Sequence, residues 1–295
     1  MFNSILSLSS QMNATGNETE LLSAIEKEAI KYNLECNYDD LGNLIIRITG
    51  NGERKKKILI SCTVDVCGFI CLASDKDKCF LASTRNLDTK KNDKLKLVSE
   101  TKKQYRASLD INDNFVVRSK VLKIGDYLKE KVQYKIDENL ASGKFIGKYA
   151  LIYALTCLFQ EKPVNDIVLC FAVEGESNCS AQANAAGHQK PDFVLLMGTA
   201  PSDSKVPLIV LKDGKIFSDP ALIEKAKASR VKMQDYVSDS KNAVTKAESV
   251  ASYASIPTLT LALPCRNLME SQESIEIPTC KKLIELMRSL CNIQF

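Results

Sequence analysis

Tryptophan is absent, and His188 is the only histidine among 295 residues. With one imidazole, no two-histidine ligand set can be assembled. Cysteine–histidine catalysis would have to run through His188, which reads as a bystander in a loop between a helix and Pro191. No G-x-S-x-G elbow, P-loop or G-x-G-x-x-G is present, which removes the common serine-hydrolase, nucleotide and dinucleotide signatures. No apolar run is long enough to span a bilayer, so no membrane partner is expected. The first residues, MFNSILSLSS, lack a basic start and a long apolar core, so no signal peptide is predicted. A cytoplasmic protein follows, in which the sequons at Asn13 and Asn17 carry no meaning. Large charge of one sign is missing too. Forty basic residues face 36 acidic ones, for a net charge of +4, and that balance argues against a nucleic-acid footprint.

Eleven cysteines are present, an odd number that leaves at least one unpaired. Cys62, Cys67, Cys71 and Cys79 show no zinc-finger or ferredoxin spacing, and they read as small core hydrophobes in a reducing environment. Glu174 and Glu176 are a paired-carboxylate candidate. At i, i+2 on a strand end they share a direction only if the strand stays extended, which disfavours a glycosidase reading.

The hydrophobic pattern alternates helices and strands. Asn17 with Glu20 has capping-box spacing before a helix carrying Leu21, Leu22, Ile25 and Ala29 on one stripe. Strands are expected at Leu34–Tyr38, Leu44–Ile48 and Lys57–Ser61, the first two joined by the turn Asp39–Asn43. From Asp75 to Arg106 the chain is charged and lysine-rich, which reads as the solvated face of a small β unit. Short strands are expected near Phe115–Val117 and Val121–Ile124. The α/β pattern resumes at Ser142. A buried helix there contains Tyr149 and Leu155, and a fully apolar strand follows at Ile167–Val173. A helix near Ser177–Ala186, strands at Phe193–Met197 and Thr258–Leu263, and a last helix opened by Pro278 complete the reading. The pattern predicts a three-layer α/β/α sandwich formed by 1–71 and 138–295, with an inserted β subdomain over 72–137.

Ordered landmarks add to this. ATGNETELLSAI, YDDLGNLIIRITG, TVDVCGF, GDYL, GKFIGKYALIYAL, FAVEGES, KPDFVLLMG and IPTLTLALPCRNLMES resemble, in the same order, the tetrahedral (TET) aminopeptidases, a group that includes glutamyl and deblocking aminopeptidases. The resemblance covers most of the chain and is thinnest over 75–123, where the insert is short. It implies a phosphorylase/hydrolase-like sandwich with a β-barrel-like insert and two divalent ions such as Zn, Co or Mn. Such a pair acidifies a water and clamps the amide oxygen, while carboxylates offset the charge.

Laid on that family pattern, the site positions are degenerate. Thr63 stands where the motif histidine belongs, and the supporting acid is kept as Asp65. Ile146 occupies the bridging-aspartate position in Phe145-Ile146-Gly147-Lys148. Gly175 replaces the general base, while the adjacent ligand survives as Glu176. Gly198 replaces an aspartate, Met269 replaces the late histidine, and Arg266 is retained. Ser240-Lys241-Asn242-Ala243 replaces a glycine-rich loop. Thr63 and Met269 are poor ligands for hard divalent ions. The expectation is therefore a non-catalytic homologue with no cofactor, serving as a binding, structural or regulatory subunit, with Asp65, Glu174, Glu176 and Arg266 lining the old cleft. The alternative is an active metal-dependent hydrolase with a rebuilt site. Expected partners are further copies of itself (a dimer first, then a dodecamer), an active paralogue, or a peptide, with no nucleic acid.

Overall fold

The computed structural model describes residues 2–84, 94–109, 115–173, 180–239, 243–245, 250 and 255–293. Its centre is a nine-stranded sheet in the order β1 (Glu35–Tyr38), β2 (Leu44–Ile48), β12 (Asp166–Ala172), β3 (Lys57–Thr63), β13 (Phe193–Pro201), β17 (Thr258–Cys265), β14 (Leu208–Asp213) and β15 (Ile216–Phe217), with β16 (Gln234–Val237) also paired to β14. The strands β12, β3, β13 and β17 run parallel and form the middle. Each is a nearly unbroken apolar run, as a strand covered on both faces must be; all eight residues of β17 are buried.

Strand alternation assigns the two covering layers. Ser61 accepts a hydrogen bond from Gln182 Nε2 (3.0 Å) of helix α4 (Ala181–Gln189). The next residue, Cys62, points to the other face, where helix α3 (Ile146–Thr156) packs on β3. Helices α1 (Phe2–Ser10) and α6 (Ile277–Cys291) pack against α3. Helix α2 (Thr19–Ile30) lies on β1 and β2. The chain is therefore a sandwich of helices about a mixed sheet, in agreement with the sequence pattern.

Between β3 and α3 the chain forms a closed six-stranded barrel, β4 (Gly68–Asp75), β5 (Lys78–Ser83), β8 (Phe115–Arg118), β7 (Gln104–Leu109), β6 (Lys94–Ser99) and β9 (Tyr127–Glu130). It has its own small core, in which the Phe69 and Phe115 rings meet edge-on at 5.0 Å. A three-stranded sheet of β10 (Lys135–Ile136), β11 (Leu140–Ser142) and β18 (Ser274–Glu276) braces the chain on its way back to α3. The turn into α3 uses Gly143 at φ 144, where an added Cβ would lie 2.4 Å from the Tyr134 ring, and Phe145 at φ 63. Only a residue without Cβ is comfortable at the first of these positions.

Several local expectations are corrected. Asn17 and Glu20 do not close a capping box. The helix begins after Glu18 with no side-chain cap, and Glu20 accepts from Met12 N (2.6 Å) and Lys102 Nζ (2.5 Å). Long-range partners outcompeted the local one. Val121–Ile124 is not a strand; Ser119 Oγ accepts from Val121 N and Leu122 N, turning the chain so that Val121 and Ile124 stand exposed. Strand β3 runs on to Thr63 and β13 to Pro201, which puts Gly198 inside the strand. His188 lies in the last turn of α4, not in the loop after it.

Candidate functional site

The parallel strands deliver their carboxyl ends to one rim, the usual location for ligands in sheets of this kind. Thr63 ends β3, and Asp65 follows on a loop whose backbone is gripped from a distance. Val66 N donates to Asn13 O (2.9 Å), Thr15 N donates to Val66 O (3.1 Å), and Asn13 Nδ2 donates to Val64 O (2.7 Å). These bonds tie the N-terminal landmark to the TVDVCGF landmark. The YDDLGN turn acts similarly at the end of β12. Asn43, fully buried, donates to Asp39 (2.7 Å) and Ala181 O (2.9 Å), and accepts from Val173 N (3.0 Å).

Asp65 is 0% exposed. Its Oδ2 accepts from Thr15 Oγ1 (2.9 Å), and the Lys148 ammonium lies 4.0 Å from Oδ1 while donating to the Asp65 backbone oxygen. Lys148 projects from the first turn of α3, next to Ile146, which is fully buried. Gly198 is enclosed. A Cβ there would lie 2.5 Å from Val244 Cγ1 and 2.6 Å from Val244 O. Val244 and Thr245 are fixed in that position by Asp213. This 2% exposed carboxylate accepts from Val244 N (2.6 Å), Thr245 N (3.1 Å), Thr245 Oγ1 (2.6 Å), Ser238 Oγ (3.1 Å) and Thr260 Oγ1 (3.2 Å).

Met269 sits on the loop after β17 at φ 74, 45% exposed, and its N–H donates to Glu273 Oε1 (3.1 Å). Arg266 turns to Asp203 (2.9 Å) and Glu276 (2.9 Å), tying the β13 and β17 ends to β18. Glu174, Gly175 and Glu176 lie outside the described residues, as do Ser240 to Asn242. The structure thus brings Thr63, Asp65 and Ile146 to one rim, whereas the Arg266 guanidinium is engaged in ion pairs.

Glu273 was not singled out by sequence. It is 1% exposed, and burial raises its carboxyl to about 7 against the pull of Lys148, Lys144 and the Met269 and Gly147 amides. Within the polar stretch MESQES no local pattern marks it as buried.

Two divalent ions do not fit the described donors. Thr63 offers a neutral hydroxyl, Ile146 and Gly198 offer nothing, and Met269 offers a thioether. A cationic ammonium already lies beside Asp65. Among the described residues no three His, Cys, Asp or Glu side chains converge as a metal-binding group. The histidine that sequence left over, His188, is exposed on the far turn of α4.

No family model matches the chain, and no curated protein does. Solved structures do. A TET aminopeptidase from a marine-sediment Thaumarchaeota archaeon superposes with a TM-score of 0.84 at 17% identity, covering 99% of this chain and 96% of that one. An aminopeptidase from the archaeon Desulfurococcus kamchatkensis gives 0.83 at 17%, covering 98% and 94%. The TET1 peptidase of Pyrococcus horikoshii, which can assemble into a tetrahedron or a large octahedral shell, gives 0.82 at 18%, covering 99% of each. The fold of this chain is that of these aminopeptidases over its whole length.

Proposed function

We propose that this chain is a non-catalytic relative of the TET aminopeptidases that keeps their fold for binding, structural or regulatory work. The observation that carries the reading is the Lys148 ammonium beside Asp65. A fixed monovalent cation on the protein itself neutralises Asp65, the one acid of the family pattern that lies among the described residues. A divalent ion brought there would meet repulsion in addition to a poor donor set. The closed pocket at Gly198 supports the same reading. Placing an aspartate there requires displacement of the 243–245 segment, which Asp213 holds with three hydrogen bonds. Asp65 then serves as a structural carboxylate, joining the N-terminal segment to α3.

Self-association is part of the proposal, supported by the shells that the TET1 peptidase forms. A dimer is the smallest such unit, and an active homologue or a peptide is the other partner that this fold suits. The ten described cysteines are all free, which fits a reducing compartment such as the cytoplasm.

The test is metal content by mass spectrometry after incubation with Mn²⁺, Co²⁺ or Zn²⁺ and desalting, with hydrolysis of aminoacyl substrates measured in parallel. Less than about 0.1 ion per chain and no hydrolysis are expected. About two ions per chain with turnover would overturn the reading in favour of a rebuilt hydrolase site.

A further inference from the structure

The lysine-rich stretch of the barrel carries a feature that a solvated face does not require. Strand register places Lys96 of β6 directly opposite Arg106 of β7. On the other side of β6, Leu97 faces Glu130, and Lys131 N donates to Lys96 O (2.7 Å), so Lys131 comes next to Lys96. Leu97 and Ala107 point into the barrel core, which turns Lys96 and Arg106 outward. Three cations therefore stand in one transverse row, at the strand spacing of roughly 4.8 Å. Like charges directly opposite each other destabilise a sheet. None of the three has an ion-pair partner among the described residues.

The row lines a cleft of about 390 Å³. Its other walls are Gln133 in the segment after β9, Lys144 in the turn into α3, and Ser271 and Gln272 of the loop that also carries Met269. Among the described residues of the lining Glu130 is the only acid, and it is bound by Lys144. The amides of Gln133 and Gln272 and the hydroxyl of Ser271 add neutral donors to the cationic floor.

We propose that this cleft binds a small polyanion, a molecule carrying two or three phosphate or carboxylate groups at spacings that match the Lys131–Lys96–Arg106 row. Such a ligand screens the mutual repulsion of the row and takes its donors in parallel. The cleft is of small-molecule size. It is separate from Thr63, Asp65 and Ile146, so the inference holds whether or not the rim is catalytic.

The test is calorimetric titration of the full chain with sodium triphosphate and, separately, with citrate. Both are repeated on the double variant K96Q/R106Q and on K56Q, a surface lysine paired elsewhere with Asp192. The wild type and K56Q are expected to bind one equivalent of at least one probe. Binding should weaken at least about tenfold when ionic strength rises from about 0.05 M to about 0.5 M. The double variant should lose at least about tenfold in affinity while melting no lower than the wild type, because the opposed charges are gone. Preference for triphosphate identifies a phosphoryl ligand, and preference for citrate a carboxylate one. No binding of either probe below about 1 mM, or equal binding by K96Q/R106Q, would overturn the proposal.

Discussion

The Lys148 ammonium and the Asp65 carboxylate lie 4.0 Å apart at the carboxyl end of the central strand, and the same ammonium donates to the Asp65 backbone oxygen. Lys148 therefore holds both the charge and the path of the loop. Removing one partner of a buried pair costs about 3–5 kcal/mol because the other charge stays behind. Here the lysine side chain is 17% exposed, so a loss of about 2–3 kcal/mol is expected for Lys148→Met in urea unfolding. The double variant with Asp65→Asn should recover part of it. A single Lys148→Met variant of unchanged stability would show that the pair contributes nothing.

Gly198→Asp should not reinstate a ligand. Its Cβ alone would sit 2.5 Å from Val244 Cγ1 and 2.6 Å from a carbonyl oxygen. Overpacking of this kind costs about 1–3 kcal/mol, and more where backbone must yield. The expected outcome is a lower melting temperature without gain of Mn²⁺ or Zn²⁺, read by differential scanning calorimetry and metal analysis.

Asp213→Asn places an amide N–H₂ against donors that the carboxylate now satisfies. Hydrogen bonds to charged groups contribute about 1.5–3 kcal/mol each, with strong non-additivity. A loss near 3 kcal/mol is expected, together with faster amide exchange at Val244 and Thr245. Unchanged exchange at those two amides would contradict the role given to Asp213.

Lys129 supplies a pH dependence. It is 6% exposed and donates to Ser9 O (2.8 Å), Gln11 O, Asn13 Oδ1 (3.1 Å) and Tyr149 Oη (3.5 Å), all neutral. Burial, with Lys102 nearby and Glu20 opposing, lowers its ammonium to about 7. Between about pH 7 and the unfolded value of 10.5 the unfolded chain holds more protons at this residue. Its contribution to stability therefore rises with pH in that window, by at most about 1.4 kcal/mol per unit. Urea unfolding of Lys129→Met across pH 7–10 should show this slope removed.

Glu273 acts in the opposite sense over a lower range. Its folded value of about 7 exceeds the ordinary 4.5, so the folded chain holds the extra proton between them. Stability from this group is present below about pH 4.5 and is lost as pH rises towards 7. Glu273→Gln should flatten the wild-type decline between pH 5 and 7. An unaltered decline would place its source elsewhere.

The layers and the order of strands were readable because buried parallel strands are nearly continuous apolar runs, as in Ile167–Ala172 and Thr258–Leu263. Element ends were less readable. The Val121–Ile124 alternation mimics a strand, yet one serine hydroxyl at Ser119 turns it outward. The rim was legible only as a pattern of replaced residue types. Sequence marked Asp65 but not the lysine that lies against it, because Lys148 is 83 positions away. Glu273, Lys129 and Asp213 went unnoticed for a related reason. A buried charge is created by distant segments that close over it, and nothing in its immediate neighbours announces the closure.

The pairing of Gly68 with Lys129 joins the first and last strands of the barrel. It also decides how the rest of the chain can assemble. If the barrel forms first, the chain leaving β3 and the chain entering the β10–β11 brace emerge side by side, as though linked by a hairpin. Closing β3 against β12 then carries the entropy of a loop of about forty residues instead of one of about a hundred. The barrel is in this sense a kinetic shortcut through a topology of distant contacts, and a variant that unlatches Gly68 from Lys129 should refold slowly even where its final stability is preserved.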